Sequence, residues 1–349
     1  MSDEVLLNRY RILDKFADGG MSHVFKSEDL NLERLVAIKF VNSLDFSNLI
    51  NKELELLLRM RSKHVVEVYD VVGLNGHAGI VMEYISGHDL FNLDIQKYTE
   101  RDFLILFWQM CSGVKDIHSS GLIHRDLKPN NMKVDSEGIL KIFDFGISKD
   151  SENPLTVGFK GTFGFAAPEM LESNLIDKPI DIYALGIIFI FLLNKRNLQL
   201  EGYFFKIDEQ HFENDFFTKY PSLKTLFHKA INYDPRLRPE IDEIKSEFDK
   251  LLLENMHMAL AVHDGKQHFL HQGNRSVTLN YGSIASCEVH YTGSSFVLRN
   301  VKGEVMVNRK VPVEGEVIPF CCVIALGLPQ RKSERKFVTF DISNPEVIL

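Results

Sequence analysis

The sequence predicts an α+β chain: a small β-rich lobe, a larger helical lobe and a further all-β unit at the C-terminal end. Three observations carry this. Tyr10–Val41 alternates apolar and polar residues around a Gly19-Gly20 pair, the period-two pattern of antiparallel strands joined by a tight turn. From Arg101 to His118 the period turns helical, with Leu104, Phe107, Trp108, Cys111, Val114 and Ile117 on one face. After Leu253 the chain becomes rich in Val, Thr, Phe and Gly, and short alternating runs such as Ser295–Arg299 and Glu304–Val307 return.

The remaining elements follow in order. Phe46–Met60 reads as an amphipathic helix, because Leu49, Ile50, Leu54, Leu57, Leu58 and Met60 recur at helical spacing. Val65–Val72 and Ala78–Tyr84 are strand-like runs flanking the turn Asn75-Gly76. Ile180–Leu193 is the longest apolar run, fourteen residues with Asp181 near its start. A membrane span needs about 20 apolar residues, so this is a buried core helix. A length of 349 residues suits one domain of about 250 residues and one of about 90. The boundary falls near Glu254–Ala259, giving units 8–254 and 258–349, the first divided into 8–84 and 85–254.

Composition removes several classes of function. A formal net charge of −8 and the lack of a basic stripe argue against a nucleic-acid surface, which needs clustered Lys and Arg. Cys111, Cys287, Cys321 and Cys322 form no CxxC pair and no zinc spacing, and read as reduced thiols of a cytoplasmic protein. His257, His263, His268 and His271 cluster without a metal-ligand register. Met1–Arg11 lacks the apolar core of a signal peptide, so no membrane role is expected.

Transfer of a terminal phosphoryl group asks for a phosphate cradle, a cation on the phosphates, oxygen ligands for Mg²⁺ and a carboxylate to orient the nucleophile. The run Phe16-Ala17-Asp18-Gly19-Gly20-Met21-Ser22-His23-Val24 is a small-residue turn of the kind that lets backbone N–H groups approach phosphates, although any tight hairpin also needs glycine. Val36-Ala37-Ile38-Lys39 ends an apolar strand fifteen residues after Val24; a lysine there also suits simple snorkelling to solvent. Glu53, with Leu57 and Met60 at i+4 and i+7, lies beside the buried face of the next helix, and Glu55 is the competing choice. The segment that decides is His124-Arg125-Asp126-Leu127-Lys128-Pro129-Asn130-Asn131, with Asp144-Phe145-Gly146 beginning thirteen residues after Asn131.

With these motifs, Asn8–Leu253, about seventy per cent of the chain, resembles the eukaryotic-type serine/threonine protein kinases of bacteria. The resemblance implies a bilobal protein-kinase fold with a β-rich N-lobe and a helical C-lobe, ATP and Mg²⁺ as cofactors, and protein substrates. It implies that Asp126 orients the substrate hydroxyl, that Lys128 neutralises charge on the phosphate in transit, and that Asn131 and Asp144 hold Mg²⁺. Lys39 would contact the phosphates with Glu53 as its partner. Lys128 is the variant typical of serine/threonine kinases, though activity towards tyrosine stays open.

By the same resemblance Ala17, Gly19, Gly20 and Ser22 form the phosphate loop, and Val24 and Ala37 cover the adenine. The backbone of Glu83 and Ile85 would bind its edge, and Met82 would set the depth of the pocket. Gly161-Thr162 and Ala167-Pro168-Glu169 match the end of the activation segment, with Thr162 near Asp126 and Lys128. Asp181 would hold the catalytic-loop backbone and Arg238 would pair with Glu169. Arg125 before Asp126 implies control by phosphorylation at Thr156, with Ser148 and Ser151 as alternatives.

Three features depart from the pattern. Ala17 and Ser22 replace glycines, in a GlyGlyMetSer form familiar among bacterial kinases, which points to a bacterial or bacteriophage source. The segment between Lys39 and Glu53 is short. Lys133 takes a position beneath the adenine that is usually apolar. The C-terminal unit resembles a forkhead-associated (FHA) sandwich, with Ser283–Val289 over that family's serine-to-histidine motif and Ser286 in place of the histidine. Arg275 and Ser283 would then read a phosphothreonine partner; a general interaction or regulatory β-domain is the alternative.

Overall fold

The computed structural model describes residues 5–19, 22–41, 52–74, 77–145, 164–172, 177–343 and 345–347. The chain divides into two compact units, Met1–Phe248 and Asp249–Leu349.

The first unit opens with an antiparallel sheet of β1 (Val5–Leu6), β2 (Tyr10–Gly19), β3 (Ser22–Asp29), β4 (Arg34–Val41), β5 (Val68–Leu74) and β6 (His77–Glu83), ordered β1-β2-β3-β4-β6-β5. Residues directly opposite on neighbouring strands share a face. Val24 opposes Lys39, Lys39 opposes Ile80, and Ala37 opposes Met82, so these side chains line one face. Val36, Ile38 and Val81 alternate to the other, where they are buried with Leu6, Tyr10 and Val72. Arg9 clamps the sheet: its guanidinium donates to both oxygens of buried Asp29, at 3.0 and 2.8 Å. Helix α1 (Lys52–Arg59) buries Leu54 and Leu57.

The helical part is arranged around α2 (Glu100–Ser119) and a short sheet of β7 (His88–Asp89), β8 (Met132–Val134) and β9 (Leu140–Ile142). Helix α2 starts at a capping box: the Thr99 hydroxyl accepts the Asp102 N–H, and the Asp102 carboxylate accepts the Thr99 N–H. The Thr99 hydroxyl also donates to the Asp102 carboxylate at 2.7 Å, and this bond, followed by that from the Thr99 N–H, holds the Asp102 carboxyl below its ordinary value. After α3 (Glu169–Glu172) comes α4 (Pro179–Leu193), apolar on every side and buried from Ile180 to Leu192. Phe189 of α4 packs on Phe107 and Phe227, with ring centroids 4.4 and 4.7 Å apart. The hairpin β10 (Leu200–Glu201) and β11 (Phe204–Phe205) and helices α5 (Asp215–Lys219), α6 (Pro221–Ala230) and α7 (Ile241–Leu253) follow. A Cβ on Gly186 would meet Ile231 and Ala230, so glycine permits the close crossing of α4 over the end of α6.

In the second unit β12 (Ala259–His263), β13 (Lys266–Leu270), β14 (Ser276–Tyr281), β15 (Ala285–Tyr291), β16 (Phe296–Gly303), β17 (Val305–Val307), β18 (Cys321–Leu326) and β19 (Lys336–Ile342) form two antiparallel sheets. Their orders are β13-β12-β19-β18-β17 and β14-β15-β16. Strand β15 buries Ala285, Cys287, Val289 and Tyr291 and turns the residues between them outward. Residues of both sheets, among them Leu298, Ile324, Leu326, Val338 and Phe340, share one core.

Candidate active site

The cleft is built between the two parts of the first unit. Its upper face is that of β3, β4 and β6 carrying Val24, Ala37, Lys39 and Met82. The backbone of Ala17 and Gly19 pairs with Val24 and Ser22 to close the hairpin; Gly20 and the side chains of Ala17 and Ser22 lie outside the described residues. Lys39 reaches across the cleft, and its ammonium pairs directly with Asp144. Glu53 lies on α1 with its side chain outside the described residues, while Glu55 is exposed.

The lower face is a loop held by a buried carboxylate. Asp181, 1% exposed, accepts the backbone N–H groups of His124 at 2.9 Å and Arg125 at 3.0 Å. His118 Nε2 of α2 lies 2.9 Å from the same carboxylate. Three partners satisfy a group whose burial would otherwise cost several kcal/mol. The lone acid of the apolar run is therefore a structural bracket, and it supports Arg125 in the left-handed region, at φ 67°.

Asp126 follows. Its Oδ2 accepts from Lys128 Nζ at 3.0 Å and from Asn131 Nδ2 at 3.3 Å, and Asn131 Nδ2 also donates to the Asp126 carbonyl at 2.8 Å. With its amide nitrogen so occupied, Asn131 turns Oδ1 the other way. The Phe143 N–H donates to the Asn131 carbonyl at 3.0 Å, which sets Asp144 beside the loop. His124 fastens the same junction: Nε2 donates to the Phe143 carbonyl at 3.0 Å, and Nδ1 accepts the Asp126 N–H at 3.3 Å. Burial pushes the ring below its ordinary value, which favours the neutral form that this pattern needs. Asp144, like Arg125, holds a positive φ, 64°.

Glu83 and Ile85 lie on the segment joining the two faces. The Glu83 N–H donates to the Glu67 carbonyl at 2.9 Å, and its carboxylate pairs with Lys141 of β9 at 2.9 Å. Farther on, Arg238 and Glu169 form a two-pronged ion pair at 2.6 and 2.8 Å, with the Arg238 side chain fully buried. Gly146, Ser148, Ser151, Thr156, Gly161 and Thr162 lie outside the described residues.

Sequence reasoning missed His118 and Lys141. His118 follows Ile117 on the buried side of α2, and a polar residue there was the available signal. Lys141 carried none, because its partner is distant in the chain.

The donor set suits Mg²⁺. An amide oxygen and a carboxylate, at Asn131 and Asp144, are hard ligands, and Mg²⁺ is held by one or two carboxylates together with substrate phosphates. Among the described residues no group of three or more His, Cys, Asp and Glu side chains gathers as in an all-protein metal cage.

In the second unit the expected pairing of Arg275 with Ser283 requires correction. Arg275 precedes β14 and Ser283 follows it, so a six-residue strand of roughly 20 Å separates them. They do not converge on one phosphate. The Arg275 guanidinium donates instead to Asn255 Oδ1 at 2.9 Å and to the Gln272 carbonyl at 3.3 Å.

Comparison with known proteins agrees with this geometry. The family model described as protein kinase domain matches residues 10–248. A probable serine/threonine-protein kinase of Dictyostelium discoideum is 30% identical over 69% of this chain and 51% of its own length. One from Bifidobacterium longum is 31% identical over 53% of this chain and 26% of its own. The calcium/calmodulin-dependent protein kinase type 1B of Rattus norvegicus is 32% identical over 53% of this chain and 56% of its own. The matched region thus spans from a quarter to little more than half of these relatives. Among the described residues no helix is long and apolar enough to cross a membrane.

Proposed function

The chain belongs to the protein kinase family, and from that premise we propose that it transfers the γ-phosphoryl group of ATP to Ser or Thr hydroxyls of protein substrates. The observation that carries the reading is the Asp126 carboxylate held between Lys128 and Asn131, in the cleft that the Lys39–Asp144 pair spans. In the step, the substrate hydroxyl oxygen bonds to the γ-phosphorus as the bond to the β–γ bridging oxygen breaks. ADP leaves with the bonding electrons, and the hydroxyl proton passes to Asp126 and on to solvent. Lys128 stands beside Asp126 to meet charge on the moving phosphoryl group, and Lys39 to meet the phosphates of ATP, with Glu53 taking it over from Asp144. Mg²⁺, held by Asn131 and Asp144, would neutralise phosphate charge.

Three finer parts belong to the same reading. Thr156, or Ser148 or Ser151, is phosphorylated by the chain itself and pairs with Arg125. The second unit, supported by its two sheets around one core, is an FHA-like module for protein interaction or regulation, without a phosphothreonine site built on Arg275 and Ser283. The activity is cytoplasmic.

Radiolabelled ATP with the wild type and Asp144→Ala, followed by phosphoamino-acid analysis, tests the transfer. Label on serine or threonine in the wild type alone is expected; equal label in both, or label on tyrosine alone, overturns it.

A further inference from the structure

One half-buried ammonium in the cleft has no part in the transfer step. Lys133 lies on β8, directly opposite Asp89 of β7 and Lys141 of β9, so the three side chains share a face. That face meets the connecting segment: Lys141 holds the Glu83 carboxylate, and Lys133 Nζ donates to the Ile85 carbonyl at 3.5 Å. The same ammonium lies 5.9 Å from the centroid of the Phe143 ring, next to Asp144. Lys133 thus occupies the floor of the cleft, at the backbone group expected to meet the edge of a nucleotide base.

We propose that Lys133 sets the base preference of the nucleotide pocket, its ammonium on the Ile85 carbonyl disfavouring purines with an amino group at C2 relative to those with C–H there. This rests on the ATP reading given above. A 2-amino group is a hydrogen-bond donor and would approach the Ile85 carbonyl beside a donor that is already charged. The carbonyl oxygen can accept two bonds, but the amino hydrogens and the ammonium carry charge of the same sign, so sharing it weakens both bonds, and displacing the ammonium costs a half-buried cation one of its hydrogen bonds. Adenine presents only C–H at that edge and leaves the contact intact.

The test is equilibrium binding of ATP and of 2-aminoadenosine triphosphate, each with Mg²⁺, to the full chain as wild type, Lys133→Met and Lys133→Leu. The two nucleotides differ only by the C2 amino group, and both variants keep most of the aliphatic stem. Wild type is expected to prefer ATP on the order of tenfold, the loss of one buried hydrogen bond, and both variants to bring the ratio close to one. A wild type that binds both equally, or a preference that survives in either variant, overturns the proposal without touching the ATP reading. A wild type that binds neither overturns both. Should one variant fold poorly, the other decides by the same comparison with the wild type.

Discussion

The carboxylate of Asp181 accepts the backbone N–H of Arg125 at 3.0 Å, and Arg125 is one of the residues held at a positive φ, 67°. A buried acid on one helix therefore fixes the backbone immediately before Asp126. Asp181→Asn keeps the shape but turns an N–H₂ group towards donors. Transfer is expected to fall on the order of a hundredfold, because small displacements of a positioned group are costly. Stability is expected to drop about 1–3 kcal/mol. Steady-state rates and urea unfolding check both; an unchanged rate would show that Asp126 does not need this bracket.

Arg238 holds Glu169 with two bonds and also donates to the carbonyls of Asn232, Pro179 and Tyr233. Arg238→Ala removes both of its bonds to Glu169, which is 15% exposed, and should cost about 3–5 kcal/mol by denaturant unfolding. Adding Glu169→Gln is expected to recover part of that loss, since a mostly buried charge that has lost its arginine disappears. A double variant no more stable than the single one would assign the loss to the carbonyl contacts instead.

Acid sensitivity follows from two imidazoles. Burial holds both His64 and His124 below 6.5, the dominant influence in each case. The unfolded chain therefore takes up protons at these rings before the folded chain does, and stability rises with pH through this window. The contribution is complete above about pH 6.5 and is lost as pH falls towards the folded-state values, at up to about 1.4 kcal/mol per unit for each ring. Asp29 and Asp102, whose carboxyls are lowered, add to the loss only below about pH 4. Urea midpoints between pH 7.5 and 5.5 should decline in the wild type and decline less in His64→Asn, which can still donate to the Leu140 carbonyl. A flat wild-type profile would count against the assignment.

The thiols should separate cleanly. Cys321 is exposed, whereas Cys111, Cys287 and Cys322 are buried. Burial pushes Cys287 up to about 12 and Cys322 to about 11, so neither supplies much thiolate near neutrality. Brief iodoacetamide treatment of the native chain at about pH 8 should label Cys321 first, and denaturation should release the others. Rapid native labelling of Cys287 by peptide mass spectrometry would contradict the buried core of the second unit.

Much of the candidate site was legible because the chemistry it would serve demands particular side chains at fixed distances along the chain. Asp126, Lys128 and Asn131 meet within one short loop, so their spacing survives folding. Asp181 was legible for a different reason, as a charge in a run where burial admits no charge without partners. Element type was also readable: the helix expected over Arg101–His118 runs Glu100–Ser119, and the strand expected over Ala78–Tyr84 runs His77–Glu83. Strand ends shifted by a residue or more because pairing, not alternation alone, sets them. Arg275 and Ser283 failed as a pair since separation in sequence does not reveal that a straight strand lies between them. Lys141 and Glu83 were invisible as partners, because they lie on different sheets that only the folded chain brings together.

The direct contact of Lys39 with Asp144 bears on how a nucleotide is admitted. Under the proposed function, loading would be an exchange of counter-ions: the incoming triphosphate would draw the lysine from the aspartate, and its accompanying cation would take the aspartate in return. Each half of that trade is unfavourable without the other. Metal-free nucleotide should therefore be a poor competitor for this cleft.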